Sequence, residues 1–514
     1  MSQPPRALFE RTAGRVQPWQ APRRPGHLGP RPETCKEPVL ELLDHHGAGA
    51  TATPDQDIVT ISPLDGSLVG RMPAATANDV AEACSAASLA GKSWAATSPH
   101  ERGQVLQKCA AAVGARALEL AELNHAETGR PADQALEGVL AGVSTLEQYA
   151  QLGPIHRGRS LCGGELATDY TVQCPRGVVA ALTPWNDPVA VACGILGAAL
   201  AMGNTVVHKP SERCPQVGAR LGNVLAEVLP AGVLQTLCGG PHIGALLAAD
   251  AHVAVIAHVG SSATGAALRQ IAAGTGAHTI LENGGNDPLL VDSDVDPVWA
   301  AQQAAVGAFS NSGQICTAVE RIYVHRDIAA EFLAALEAEA VRINEAGSLG
   351  PLVDERLRKL VHGQVSGAVA DGAVATVGGI VPGTPGAYYP ATVLRECTGA
   401  MTVMQEETFG PVAPVQVVDS FAEGLRLAAG GRYGLAATVL TSGLGHAQQA
   451  VAELDTGTVK INNVFGGAPG GAAQPRRTSG AGFGYGPELL DEMACVKVVH
   501  IEPAPSAGEP DTAP

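Results

Sequence analysis

The sequence predicts an α/β protein in which mostly parallel sheets are covered by helices and the chain forms more than one domain. Between residues 177 and 291, apolar runs of strand length alternate with helical segments. That rhythm buries both faces of a sheet and needs crossover helices, so the strands should run parallel. A chain of 514 residues also exceeds what a single hydrophobic core usually serves. The composition, 46% hydrophobic and only 4% aromatic with 62 Gly, suits an α/β protein with many glycine turns.

Residues 1–50 are rich in Pro and Arg, show neither period and end in Gly-Ala-Gly-Ala. They are expected to be a disordered tail. An Arg-rich, acid-poor start imitates a transit peptide, but the segment has no apolar signal core and secretion is not expected. Ile58–Ser62 alternates like a strand, and Pro63-Leu-Asp-Gly66 supplies turn chemistry after it. Residues 78–90 and 99–127 carry helical periods, the second ending at Thr128-Gly129, and are expected to be scaffold. Residues 167–173 form a polar strand outside the βα rhythm, a pattern suited to a subunit contact.

A buried strand at 177–183 runs into Pro184-Trp-Asn186. An apolar helix at 189–202 and a strand at 205–208 follow, delivering Lys209-Pro-Ser-Glu212. After the helix at 217–228 come a strand at 254–259, the turn Gly260-Ser-Ser-Ala-Thr-Gly265, a helix at 266–273 and a strand at 279–281. A second series holds strands at 289–291, 321–325, 410–416, 437–440 and 458–462, with helices at 298–310 and 329–346. Residues 464–487 are glycine-rich. A last strand at 496–501 is expected to pair with another subunit or with the strand near residue 170, and the chain beyond 503 reads as a disordered tail.

Charge and cysteine content narrow the function classes. A formal charge of −17 argues against a nucleic-acid partner. No apolar run is long enough to span a bilayer, and a cytoplasmic protein is expected. Eleven cysteines are scattered without CxxC pairs or His/Cys ligand spacing. Ten are expected to be reduced core thiols, with no structural metal.

The eleventh, Cys316, lies among small and polar residues in Phe309-Ser-Asn-Ser-Gly-Gln-Ile-Cys-Thr-Ala-Val-Glu-Arg321. Asn186 offers an amide at the end of one strand, and Glu282 a carboxylate between an apolar run and Gly284-Gly285. Thiol, amide and carboxylate are a nucleophile, an oxyanion donor and a base. Lys209 and Glu212 fall beyond a strand's carboxyl end, where open α/β sheets bind dinucleotides. The Gly260–Gly265 turn offers backbone N–H groups and a helix N-terminus to a pyrophosphate. Singly, each of these residues reads as a turn, a cap or a surface charge; together they favour catalysis.

Thr183-Pro-Trp-Asn186, Gly203-Asn-Thr-Val-Val-His-Lys-Pro-Ser-Glu212, Gly260-Ser261, Glu282 with Gly284-Gly285, Gly313-Gln-Ile-Cys316 and Glu406-Glu-Thr-Phe-Gly-Pro411 occur in one order. In them the chain resembles the aldehyde dehydrogenases over residues 55 to 502, with smaller agreements at Glu127–Pro131, Tyr433–Leu435 and Ile461–Asn463. The resemblance implies a Rossmann-like cofactor domain (51–153 and 177–285), a second α/β catalytic domain (286–478) and a small β oligomerisation arm (154–176 and 488–503). Tails at 1–50 and 504–514 and a homodimer or homotetramer complete the picture. It implies Cys316 as nucleophile, its N–H with Asn186 as oxyanion hole and Glu282 as the base for hydrolysis. Pro184, Trp185, Lys209, Ser211, Glu212, Gly260, Ser261, Glu407 and Phe409 would bind the cofactor. NAD is favoured because Glu212 would repel a 2′-phosphate, although members using NADP as well keep this Glu.

Glu282 favours hydrolysis over transfer to coenzyme A, and its presence with Cys316 favours an enzyme over a non-catalytic scaffold. Asn283 stands where the family commonly has Leu. Asn286-Asp-Pro288 and the stretch from Ser312 to Arg321 resemble the branch acting on phosphonate aldehydes, which suggests phosphonoformaldehyde or phosphonoacetaldehyde as substrate. Ile315 and Glu320 depart from that branch's Arg and Lys, leaving semialdehydes or aliphatic aldehydes as the alternative. Pro469-Gly-Gly471 and the approach to Ser479-Gly480 imply a remodelled entrance.

Overall fold

A computed structural model describes residues 57–465 and 471–504. The expected tail at 1–50 and, of the expected tail at 504–514, all but residue 504 lie outside those residues, as do positions 469 and 470 of the expected entrance loop.

Two mostly parallel sheets dominate. A six-stranded sheet runs in the order Gly480–Ala481, His278–Asn283, Val253–Gly260, Val178–Leu182, Thr205–Lys209 and Leu234–Thr236. Its first strand alone is antiparallel. Alternation along these strands divides the core into two layers. Val179, Ala181 and Val206 face one side, and Val178, Ala180 and Val207 face the other. The helices Pro188–Ala201 and Pro215–Ala226 cover the first face, with Ala132–Ile155 packed against Pro188–Ala201, and Ala77–Ala96 and Pro241–Ala249 pack on the second.

The seven-stranded sheet runs Val374–Val377, Thr392–Arg395, Val412–Val418, Val319–His325, Asp287–Val291, Ala436–Leu440 and Thr458–Ile461. Only its first strand is antiparallel to its neighbour. A separate three-stranded antiparallel sheet sets Thr168–Pro175 between Ala494–Ile501 and Ser160–Leu161. Of the two expected partners for the last strand, the one near residue 170 is found within the chain, with Cys495 opposite Cys174 and Val498 opposite Thr171.

Several expectations need correction. The single helix expected at 99–127 is two, Pro99–Gly114 and Ala117–Thr128, because Arg116 leaves helical geometry at φ −116° and ψ 20°. The 24-residue helix Ala132–Ile155 has no counterpart in the sequence reading. Its glycines look like helix breakers but serve close packing. A Cβ on Gly142 would sit 3.1 Å from the Cys193 sulfur, and one on Gly153 would sit 3.1 Å from the Ala201 Cβ. The helices Pro241–Ala249 and Glu355–Ala370 were likewise not expected. Not all the other cysteines are core thiols: Cys162 and Cys495 are exposed and Cys174 is half-exposed, all on the three-stranded sheet or its approach.

Candidate active site

The two large sheets meet with opposite polarity at one cleft. From the six-stranded sheet come segments at strand carboxyl ends: Pro184–Asn186 after Leu182, Gly260-Ser261 after Val259, and Glu282 near the end of its strand. From the seven-stranded sheet come segments that precede strands: Gly284 before Asp287, Cys316 before Val319, and Glu406–Phe409 before Val412. Pro184, Trp185, Asn186, Gly260, Ser261, Glu282, Cys316, Glu407 and Phe409 all line this cleft of about 530 Å³, a size that suits a small-molecule site.

Cys316 is half-buried, in the irregular stretch between the Pro297–Phe309 helix and its strand. Asn311 and Ser312 there adopt left-handed φ values of 48° and 56°. Such strain persists only when surrounding bonds impose it. Gln314 imposes it here: its side-chain amide donates to the Asn311 and Pro351 carbonyls at 3.1 and 3.3 Å and its oxygen accepts from Val353 N–H at 2.9 Å. The Gln314 carbonyl accepts from Asn186 Nδ2 at 3.1 Å. An amide nitrogen carries two hydrogens, so this bond orients Asn186 while leaving a second donor. Burial together with Glu282, Asp287 and Glu407 pushes the Cys316 thiol well up, so it rests as a thiol.

Glu282 is half-buried, and burial raises its acid to about 7. No hydrogen bond to its carboxyl group is found among the described residues. Room for it comes from Gly484, where a Cβ would stand 2.0 Å from Oε2. The short antiparallel pairing of Glu282 with Gly480 and Leu281 with Ala481 brings that glycine alongside.

Glu407 turns toward the Gly284-Gly285 backbone and accepts from Gly285 N–H at 3.3 Å. Burial, then the Glu320 charge, raises its acid. Phe409 stands at φ 54° and meets Trp185 edge-on at 5.5 Å between ring centroids. Arg213 caps Trp185 at 5.2 Å from the ring centre while pairing with Asp354 at 3.0 Å.

Ser261 is the N-cap of the Ser262–Thr275 helix, its oxygen accepting from Thr264 N–H at 3.3 Å. The neighbouring Ser262 Oγ is buried without a hydrogen-bond partner among the described residues, and both lie at a helix N-terminus suited to an anion. Lys209, Ser211 and Glu212 do not line this cleft. Lys209 is buried, donates to the Pro210 carbonyl at 3.0 Å and stands 3.7 Å from Glu212, while Ser211 accepts from Arg213 N–H at 3.3 Å. Glu212 faces an adjoining hollow with Asp354 and Arg356.

Three residues of the site's frame escaped the sequence reading. Gln314 orients Asn186; Gln364 donates to the Glu407 carbonyl at 3.0 Å and accepts from Thr408 Oγ1 at 2.8 Å; Arg213 stacks on Trp185. Gln364 lies mid-helix, where no local pattern marks it.

This is a mixed α/β architecture of two mostly parallel sheets with a cysteine facing the cleft where they meet. Residues 50–499 match the aldehyde dehydrogenase family, and the chain belongs to it. It is 33% identical over 464 residues to a betaine aldehyde dehydrogenase of Cereibacter sphaeroides, covering 87% of this chain and 94% of that protein. Among solved structures it is similar to an NAD-dependent aldehyde dehydrogenase from Sinorhizobium meliloti, with TM-score 0.85, 31% identity, and coverage of 90% of this chain and 95% of that one. An indole-3-acetaldehyde dehydrogenase in complex with NAD+ gives TM-score 0.85 and 30% identity, covering 89% of this chain and 95% of that one.

Proposed function

We propose that the chain oxidises an aldehyde to a carboxylic acid with NAD as hydride acceptor. The observation that carries this is the shared cleft in which Cys316, Asn186 and Glu282 stand beside the Ser261 helix N-terminus. The cleft suits a dinucleotide: Ser261, which caps the N-terminus of the Ser262–Thr275 helix, lines it and can meet a pyrophosphate, and Glu407 has one weak bond to exchange for a ribose hydroxyl. NAD, when bound, supplies the hydride acceptor. We assign Pro184, Trp185, Gly260, Ser261, Glu407 and Phe409 to its nicotinamide and pyrophosphate portions, and Lys209, Ser211 and Glu212 to its adenosine end. The Glu212 carboxylate supports NAD over NADP.

Glu282 takes the thiol proton, and the Cys316 sulfur adds to the aldehyde carbon. The alkoxide is held by the free hydrogen of Asn186 and the Cys316 N–H, a donor of this kind being worth about 3 kcal/mol. Loss of hydride converts the thiohemiacetal to a thioester. Glu282 yields the thiol's proton to solvent, then draws a proton from water as it attacks the thioester. Glu282 passes that proton to the departing sulfur, releasing acid and restoring the thiol. Residues 51–153 and 177–285 would form the cofactor domain, 286–478 the catalytic domain, and 154–176 with 488–503 a subunit-contact arm.

The finer reading, a phosphonate aldehyde, rests on Asn286-Asp-Pro288 and the Cys316 stretch. Asn286 and Asp287 are buried and bond backbone: Asn286 Nδ2 donates to the Glu406 carbonyl at 3.1 Å and Asp287 accepts from Ala436 N–H at 3.1 Å. They therefore serve folding and speak weakly for the substrate. Arg213 lines the cleft and Lys460 bears on Cys316 electrostatically, and a phosphonate would have to be held by one of these two cations. NAD reduction over a panel of phosphono-, semi- and aliphatic aldehydes tests both levels. Cys316→Ala should abolish turnover, a fall of at least about 1,000-fold. Turnover surviving in that variant would end the proposal, and indifference to a phosphonate group would end the finer reading alone.

A further inference from the structure

Glu320 has no part in the chemistry above, yet it joins three segments of the cleft. It is the second residue of the strand Val319–His325, four residues after Cys316, and is buried with 4% of its surface exposed. Its Oε1 accepts the Phe409 N–H at 2.8 Å and its Oε2 accepts the Thr408 N–H at 2.9 Å. Oε2 also takes Asn286 Nδ2 at 3.3 Å. Successive backbone N–H groups in a turn containing a left-handed residue form a concavity for an anion. Here the anion is a side chain of the protein, and the left-handed residue is Phe409 at φ 54°. The adjoining Arg321 donates from Nε to the Asn286 carbonyl at 2.8 Å, so the Gly284–Asp287 link is held from both sides.

We propose that Glu320 is a positioning residue for the nicotinamide-ribose end of the cofactor, acting through the Glu406–Phe409 turn. This rests on the assignment of Glu407 and Phe409 to that end. Those two residues flank Thr408, and the direction of both is set by the peptide groups that Glu320 binds. A Lys here would point donors at two donors. The departure at residue 320 is thus matched to Asn286, whose amide supplies the third bond, and it forms a supporting pair rather than a substrate contact.

The test compares binding of NAD and of ADP, which lacks the nicotinamide ribose, in the full-length protein and in Glu320→Ala, Glu320→Lys and Glu320→Gln. The Ala and Lys variants should lose NAD affinity by at least about tenfold, the scale of lost charge-assisted bonds, while ADP binds as before. Gln keeps one acceptor oxygen and should recover part of the loss. Unchanged NAD affinity in Glu320→Ala overturns the proposal. An equal fall for NAD and ADP does so too, since it marks a general loss of structure. Failure of the unsubstituted protein to bind NAD overturns the cofactor reading as well, and so separates the two.

Discussion

Glu282 is the residue whose environment makes the sharpest demand. Its acid sits at about 7 because burial penalises the charge and, among the described residues, no hydrogen bond to its carboxyl group offsets it. The base must be ionised to draw a proton from water, so steady-state turnover should rise with pH through about 7 and then level. A pH profile of kcat measures this, and a flat profile between pH 6 and pH 8 would contradict it. Glu282→Gln should slow the first burst of NADH as well as steady turnover, the latter by at least about 100-fold, because the same carboxylate takes the thiol proton before hydride leaves and the water proton after it. Rapid-mixing absorbance separates the two phases. Cys316, Asn186 and Glu282 were legible in the sequence because each sits in a short local motif. Gln314 and Glu320 were not legible in these roles, since both act through bonds to distant segments, such as Asn186 at residue separation 128 from Gln314 and Phe409 at 89 from Glu320.

At the scale of elements, the sequence told strands from helices wherever apolar runs were uninterrupted. It failed where glycine served packing, as in Ala132–Ile155, and where a polar residue tied elements together. Glu127 shows the second case. It ends one of the helices expected to be plain scaffold, yet its buried carboxyl group accepts Gln216 N–H at 3.0 Å and Val217 N–H at 2.9 Å in the first turn of Pro215–Ala226. Glu127→Ala would strand both donors, and should lower unfolding free energy by about 2 kcal/mol or more in urea titrations. Gly480 carries a parallel constraint on the strand beside Glu282. It stands at φ 134°, and a Cβ would fall 1.8 Å from the Leu281 carbonyl oxygen. Gly480→Ala should therefore break the Gly480–Ala481 pairing and reduce turnover more than it reduces stability. Parallel melting and rate measurements would show otherwise if both fell together.

For the whole molecule, the rhythm of strands and helices announced both sheets, but it could not show that they meet with opposite polarity. That arrangement depends on which loops face each other across the cleft, and loop direction leaves no periodic trace in sequence. The three-stranded sheet poses the remaining question of scale. Ala494–Ile501 is an edge strand, paired with Thr168–Pro175 on one side only. Val496 and Val498, two residues apart and so on one face, are 63% and 64% exposed. Edge strands in stable proteins are usually charged, bulged or covered, and an exposed apolar edge invites another chain. The −17 charge of the chain opposes association at long range, so contact must be won locally by apolar surface. The unpaired edge and the two exposed valines lead to the expectation of a homo-oligomer joined through this strand. Replacing both residues, Val496→Lys with Val498→Lys, should raise the dissociation constant of the assembly by at least about tenfold, while leaving the distant Cys316 cleft able to bind NAD. Sedimentation across a dilution series reads this directly. An unsubstituted chain that sediments as a monomer at micromolar concentration, or a double variant that associates as before, would show that the exposed strand has some other partner.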